Sequence, residues 1–111
     1  MLLENEEDEI ILVGSSMGGY VSLAAAANIY VKGIFLLVPA LYMPGYEVDR
    51  FELKCSHPEI LHGWSDVVIP PDNSIRFARE KNCQLHLIDG DHSIFPFLHS
   101  FLDISANFFV L

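Results

Sequence analysis

A serine, an aspartate and a histidine stand out in this chain for where they fall. Ser16, Asp66 and His92 each lie just past a short apolar run. Together these three residue types can open an acyl bond. A serine hydroxyl attacks poorly until a base takes its proton, and imidazole suits that task because it titrates near neutrality. A buried carboxylate then fixes the imidazole tautomer and stabilises the imidazolium as it forms. The serine sits in Gly14-Ser15-Ser16-Met17-Gly18, a G-x-S-x-G pentapeptide centred on Ser16 rather than Ser15. Such a turn is strained, and Gly14 and Gly18 are expected where bulkier residues would collide with strand or helix. The N–H of Met17 would open the following helix and face a developing oxyanion.

The elements that must position these residues alternate. The run "IILVG", residues 10–14, suits a strand buried on both faces, and "MGGYVSLAAAAN" follows as a helix ending near Asn28. "KGIFLLVPA", residues 32–40, repeats the buried-strand pattern and is stopped by Pro39. Residues 41–58 read as an irregular loop with room for a short helix. "EILHGWSD", residues 59–66, starts as a third strand and breaks at Gly63. "PPDNSIRFAREKN" predicts a helix with proline in its first turn, and "CQLHLIDGD" a fourth strand leading into a turn. From Ile94 onward, Phe97, Leu98, Phe101, Leu102 and Phe108 mark an amphipathic C-terminal helix. This order predicts an α/β fold, a three-layer αβα arrangement around a parallel sheet of about four strands. Reactive groups in such sheets gather at the carboxyl ends of the strands, where all three candidates fall.

On these residues the chain resembles the α/β-hydrolase family. The resemblance rests on "VGSSMGG", "LHGWSDVVIP" and "LIDGDHSIF", each in the family's order and at a strand end, and it runs from Ile10 to the end. It is nearest to small, capless, esterase-like hydrolases. It implies Ser16 as nucleophile, Asp66 as acid, His92 as base and Met17 as an oxyanion-hole residue, with Gly14 and Gly18 shaping the nucleophile elbow. It implies hydrolysis of a carboxylic ester or thioester through an acyl-enzyme, with no metal or organic cofactor.

Other polar residues have plainer readings. His62-Gly63 resembles the family's oxyanion-loop dipeptide but precedes the acid on the third strand, and is read as a strand-end turn. Asp72 is read as a helix N-cap, and Asp89 and Asp91 as turn formers. His57, His86 and His99 lack partners at metal spacing. Trp64 and Tyr20 suit either a pocket wall or packing.

Composition narrows the function classes. With 111 residues the chain makes one domain, 1–111, opening on an acidic segment, residues 1–9. A net charge of −9, from six basic and fifteen acidic residues, disfavours nucleic acid and anionic membranes as partners. No apolar run reaches the roughly 20 residues of a membrane helix, and "MLLENEEDE" lacks the features of a secretory signal, so a cytoplasmic protein is expected. Two separated cysteines, Cys55 and Cys83, form neither a zinc motif nor a disulfide framework. "GSSMGG" lacks the spacing of a phosphate-binding loop.

The resemblance also implies an absence. The family's sheet has about eight strands with the nucleophile after the fifth, whereas here it follows the first. The chain therefore matches the C-terminal half of that fold, from the nucleophile strand onward, without the loop that gives the second oxyanion donor. The apolar edge from Ile10 to Val13 then invites a partner, either a second copy forming a homodimer or a missing N-terminal half. The expected substrate is a small or uncharged ester-like molecule. The alternative is a catalytically idle half-fold acting as a subunit or interaction module.

Overall fold

A computed structural model describes residues 10–93. The acidic segment, the C-terminal helix expected from Ile94 and His99 lie outside the described residues. Four strands form one fully parallel sheet in the order β1-β2-β3-β4: β1 (Ile11–Ser15), β2 (Val31–Leu37), β3 (Cys55–Gly63) and β4 (Gln84–Ile88). Helix α1 (Met17–Ala25), continued by a 3-10 turn at Ala26–Asn28, joins β1 to β2, and α2 (Pro71–Lys81) joins β3 to β4. This matches the core of the three-layer αβα class expected from the sequence.

The pleat sorts the apolar residues onto two faces. Ile34 and Leu36 of β2 and Ile60 of β3 meet Leu23 of α1 and Phe77 of α2 on one face, with Leu41 and Phe51 from the β2–β3 connection. Phe35, Leu37 and Leu61 point to the other face with Ile11 and Ile88. Strand β2 is buried along almost its whole length, which is why it reads as continuous apolar sequence rather than alternation.

The third strand departs from expectation. It begins at Cys55, four residues before the predicted start, and runs through Pro58. Proline is costly inside a sheet because it donates no ladder bond. Here Pro58 pairs with Ile34 on β2, while β4 pairs only from Glu59, so this part of β3 is locally an edge. The connection before it carries no helix. It is tied down by Phe51, whose ring meets Tyr20, Tyr42 and Phe77 edge-on. Helix α2 has Pro71 in its first turn, as predicted, and ends on Asn82 in the left-handed conformation. Its N-cap is Pro70, not Asp72. Asp72 lies in the first turn without a side-chain cap bond, and its charge faces the positive end of the helix dipole.

Candidate active site

The first strand ends by turning sharply at Ser16, which adopts φ 52° and ψ −119°. A non-glycine residue held there stores about 1–3 kcal/mol of strain, so the surroundings must enforce it. They do so through the backbone. The Ser16 N–H donates to Leu37 O at 2.9 Å, and its carbonyl accepts from Gly19 N at 3.0 Å and Ala40 N at 2.9 Å. The end of β2 and the chain beyond it thus grip the turn on both sides.

Two glycines let the elements close around it. A Cβ on Gly14 would lie 2.5 Å from Gly18 O and 2.6 Å from Ser22 Oγ, and one on Gly19 would lie 2.8 Å from Pro39 Cβ. A Cβ on Gly18 meets nothing within 4 Å. The collision expected at Gly18 is therefore absent, and Gly19, one residue later, carries that constraint. Met17 begins α1, so its N–H is among the four that helix geometry leaves without an intrahelical acceptor.

The strained turn presents Ser16 Oγ 3.0 Å from His92 Nε2. His92 Nδ1 lies 2.8 Å from Asp66 Oδ2. Because Nδ1 faces a carboxylate it carries the ring proton, which leaves Nε2 to accept from the serine hydroxyl. The loops bearing acid and base are laced together where β3 and β4 end. Trp64 N–H donates to Ile88 O at 3.1 Å and Ser65 N–H to Gly90 O at 3.0 Å. Asp91 Oδ1 accepts from Ser93 N at 2.8 Å, bending the chain around His92 in the turn-forming role expected of it.

Asp66 is buried and fully supplied with donors. Its Oδ1 accepts from the N–H groups of Val68 and Ile69, both at 2.8 Å. Its Oδ2 faces His62 Nε2 at 3.1 Å as well as His92. Burial alone would raise its pKa, but the Ile69 N–H, His92 and the Val68 N–H together hold the carboxyl below its usual range.

His62 is the residue that sequence reasoning undervalued. It is wholly buried near the end of β3, with Nδ1 2.7 Å from Ser74 Oγ and Nε2 3.0 Å from Ile69 O. Burial pushes its pKa down despite these partners. Ser74, His62 and Asp66 thus form a second serine–imidazole–carboxylate line beside that of Ser16, His92 and Asp66, with the two ring nitrogens exchanged and with Ser74 fully buried on α2. The signal for His62 was a polar residue directly after the apolar pair Ile60-Leu61, in the buried end of β3, a position that demands partners. Of the remaining histidines, His86 pairs with Glu59 at 3.1 Å, away from this network.

A cavity of about 320 Å³ opens beside the turn, lined by Met17, Tyr20, Val21, Tyr46, Glu47 and Val48. Tyr20 both lines it and ties its far wall, accepting from Val48 N at 3.1 Å. Trp64 is exposed and takes no part in that lining.

No protein-family model and no curated protein matches the sequence. Solved structures do. A protein of the alpha/beta hydrolase superfamily from Xanthomonas campestris pv. campestris is 26% identical, with TM-score 0.70 over 86% of this chain and 54% of its own. An alpha-beta serine hydrolase homologue from Coxiella burnetii is 22% identical, with TM-score 0.70 over 88% of this chain and 48% of its own. Esterase PE8 is 24% identical, with TM-score 0.66 over 89% of this chain and 48% of its own. The fold is that of the α/β-hydrolase superfamily.

This chain spans about half the length of these three structures. Within that half, the α/β-hydrolase fold brings Ser16, Asp66 and His92 into one hydrogen-bonded line from the ends of β1, β3 and β4. No helix among the described residues is long and apolar enough to cross a membrane.

Proposed function

We propose that the chain is a serine hydrolase of carboxylic esters or thioesters, with Ser16 as nucleophile, His92 as base and Asp66 as acid. The observation that carries this reading is the unbroken line from Ser16 Oγ to His92 Nε2, at 3.0 Å, and from His92 Nδ1 to Asp66 Oδ2, at 2.8 Å. His92 Nε2 takes the hydroxyl proton as Oγ attacks the acyl carbon, and the carbonyl electrons move onto oxygen. The free N–H of Met17 faces that oxyanion. On collapse the bond to the leaving group breaks, and His92 returns the proton to the departing alkoxide or thiolate. Water then repeats the sequence on the acyl-enzyme and frees the acid.

The cavity beside Met17 has largely apolar walls with a single carboxylate, Glu47. It favours a small, uncharged substrate with an apolar acyl part. One oxyanion donor is worth about 3–4 kcal/mol, so a chain with Met17 alone would run about 10²–10³-fold below a site with two. We assign the second donor to a partner at the open edge of β1, most simply a second copy in a homodimer, otherwise an N-terminal half. Residues 1–111 then form one unit. The free cysteines Cys55 and Cys83 suit the reducing cytosol.

A second reading, an idle half-fold serving as an interaction module, is favoured by β1 standing at the sheet edge with Val13 half exposed. A fluorophosphonate probe separates the two. Stoichiometric labelling that disappears in Ser16→Ala supports the hydrolase, and a folded protein that takes no label leaves the module.

A further inference from the structure

We infer that His62 is a positioning residue that fixes the acid from the side opposite His92, an inference resting on the hydrolase reading above. The geometry is that of one carboxylate oxygen shared between two imidazoles. Asp66 Oδ2 lies 2.8 Å from His92 Nδ1 and 3.1 Å from His62 Nε2. Beyond each imidazole stands a serine hydroxyl, Ser16 on one side and Ser74 on the other. The line therefore runs through five side chains, with a partly exposed end at Ser16 and a sealed end at Ser74.

The proton positions follow from the partners. His62 Nε2 faces two acceptors, Ile69 O at 3.0 Å and the Asp66 carboxylate, so it must carry hydrogen. A neutral ring then leaves Nδ1 as acceptor, and Ser74 donates its hydroxyl proton to it. Ser74 thus selects the tautomer whose Nε2–H lies between Ile69 O and Asp66 Oδ2. This assignment uses every buried polar atom of the group.

The consequence for the acid is mechanical and electrostatic. The amides of Val68 and Ile69 hold only Oδ1. Without His62, the place of Oδ2 would depend on His92, the very group it is meant to orient. With His62 the carboxylate plane is set before the base arrives. A neutral donor also does this without supplying charge. A lysine or arginine in its place would pin the carboxylate equally well, but would oppose the imidazolium that forms on His92 in the transition state.

The test is the rate of fluorophosphonate labelling of Ser16, with thermal stability measured on the same samples. His62→Leu keeps bulk and removes the donor, and should slow labelling about 10- to 100-fold, the range that a small misplacement costs. His62→Gln places an amide N–H near the Nε2 position and should recover most of that loss. In an Asp66→Asn background, His62→Leu should add less than about a twofold further loss, because the path through the acid is already cut. Full, additive losses in that background, or a His62→Gln variant as slow as His62→Leu, would overturn the inference. If the unaltered protein takes no label, the hydrolase reading fails, and positioning is decided by NMR. The low-field proton between His92 and Asp66 should then shift or broaden in His62→Leu and persist in His62→Gln. A resonance unchanged in both variants would refute it.

Discussion

Asp66 and His62 both bind protons less readily in the folded chain than in the unfolded one. The sign of the pH effect follows. Wherever the unfolded state binds more protons, stability rises with pH. The contribution of His62 is complete above its ordinary value of 6.5 and is lost as pH falls below it. That of Asp66 is complete above its ordinary 3.8 and is lost further into acid. The melting temperature should therefore fall between about pH 7 and about pH 5, and His62→Gln should flatten that first decline while leaving the later one. A decline identical in both proteins would remove His62 as its source. At this scale the sequence was most informative about the three residues the fold brings into line, because Ser16, Asp66 and His92 each follow a recognisable strand and turn. It was least informative about His62, whose partners are set in three dimensions: Ser74 twelve positions away on α2 and the Ile69 carbonyl.

Between β1 and α1 the constraint is closeness. The backbone of α1 passes so near Gly14 that a methyl group there would collide with Gly18 O, and Gly19 presses on Pro39. Gly14→Ala and Gly19→Ala should each destabilise by about 1–3 kcal/mol. Gly18→Ala meets open space within the helix and should be neutral or stabilising by up to about 1 kcal/mol. Denaturant melts of the three variants check the order, and Gly18→Ala as damaging as its neighbours would contradict the packing described. The pentapeptide pattern located this turn but misassigned the second constrained glycine, since a motif records spacing and not which neighbour lies above each residue. The early start of β3 was hidden for a related reason. Pro58 reads as a strand stop unless β4 is known to begin pairing one residue later. The remaining strands and both described helices were legible because their apolar runs and caps are local.

At the scale of all the described residues, the sheet is open along β1. Among the described residues strand β1 pairs only with β2, and Val13, Met17 and Val21 along β1 and α1 are 49%, 62% and 53% exposed. An edge of that composition favours strand addition. If a second copy completes the sheet, sedimentation should give a dimer whose labelling rate per chain rises with concentration. Val13→Lys should shift both toward the monomer. A monomer at high concentration that labels as fast as any dilution would rule the homodimer out.

The supply of donors to Asp66 has a consequence for how the site comes apart. Three of the four, the amides of Val68 and Ile69 and the ring of His62, lie within a few residues of it in sequence, and only His92 arrives from far along the chain. The acid is thus built by a local motif at the end of β3, whereas the His92 ring meets side chains from other strand ends, Ser16 and Asp66. Partial opening of the loop after β4 would take His92 away and leave an oriented carboxylate behind. In that opened form the acid would need no rebuilding before His92 returned.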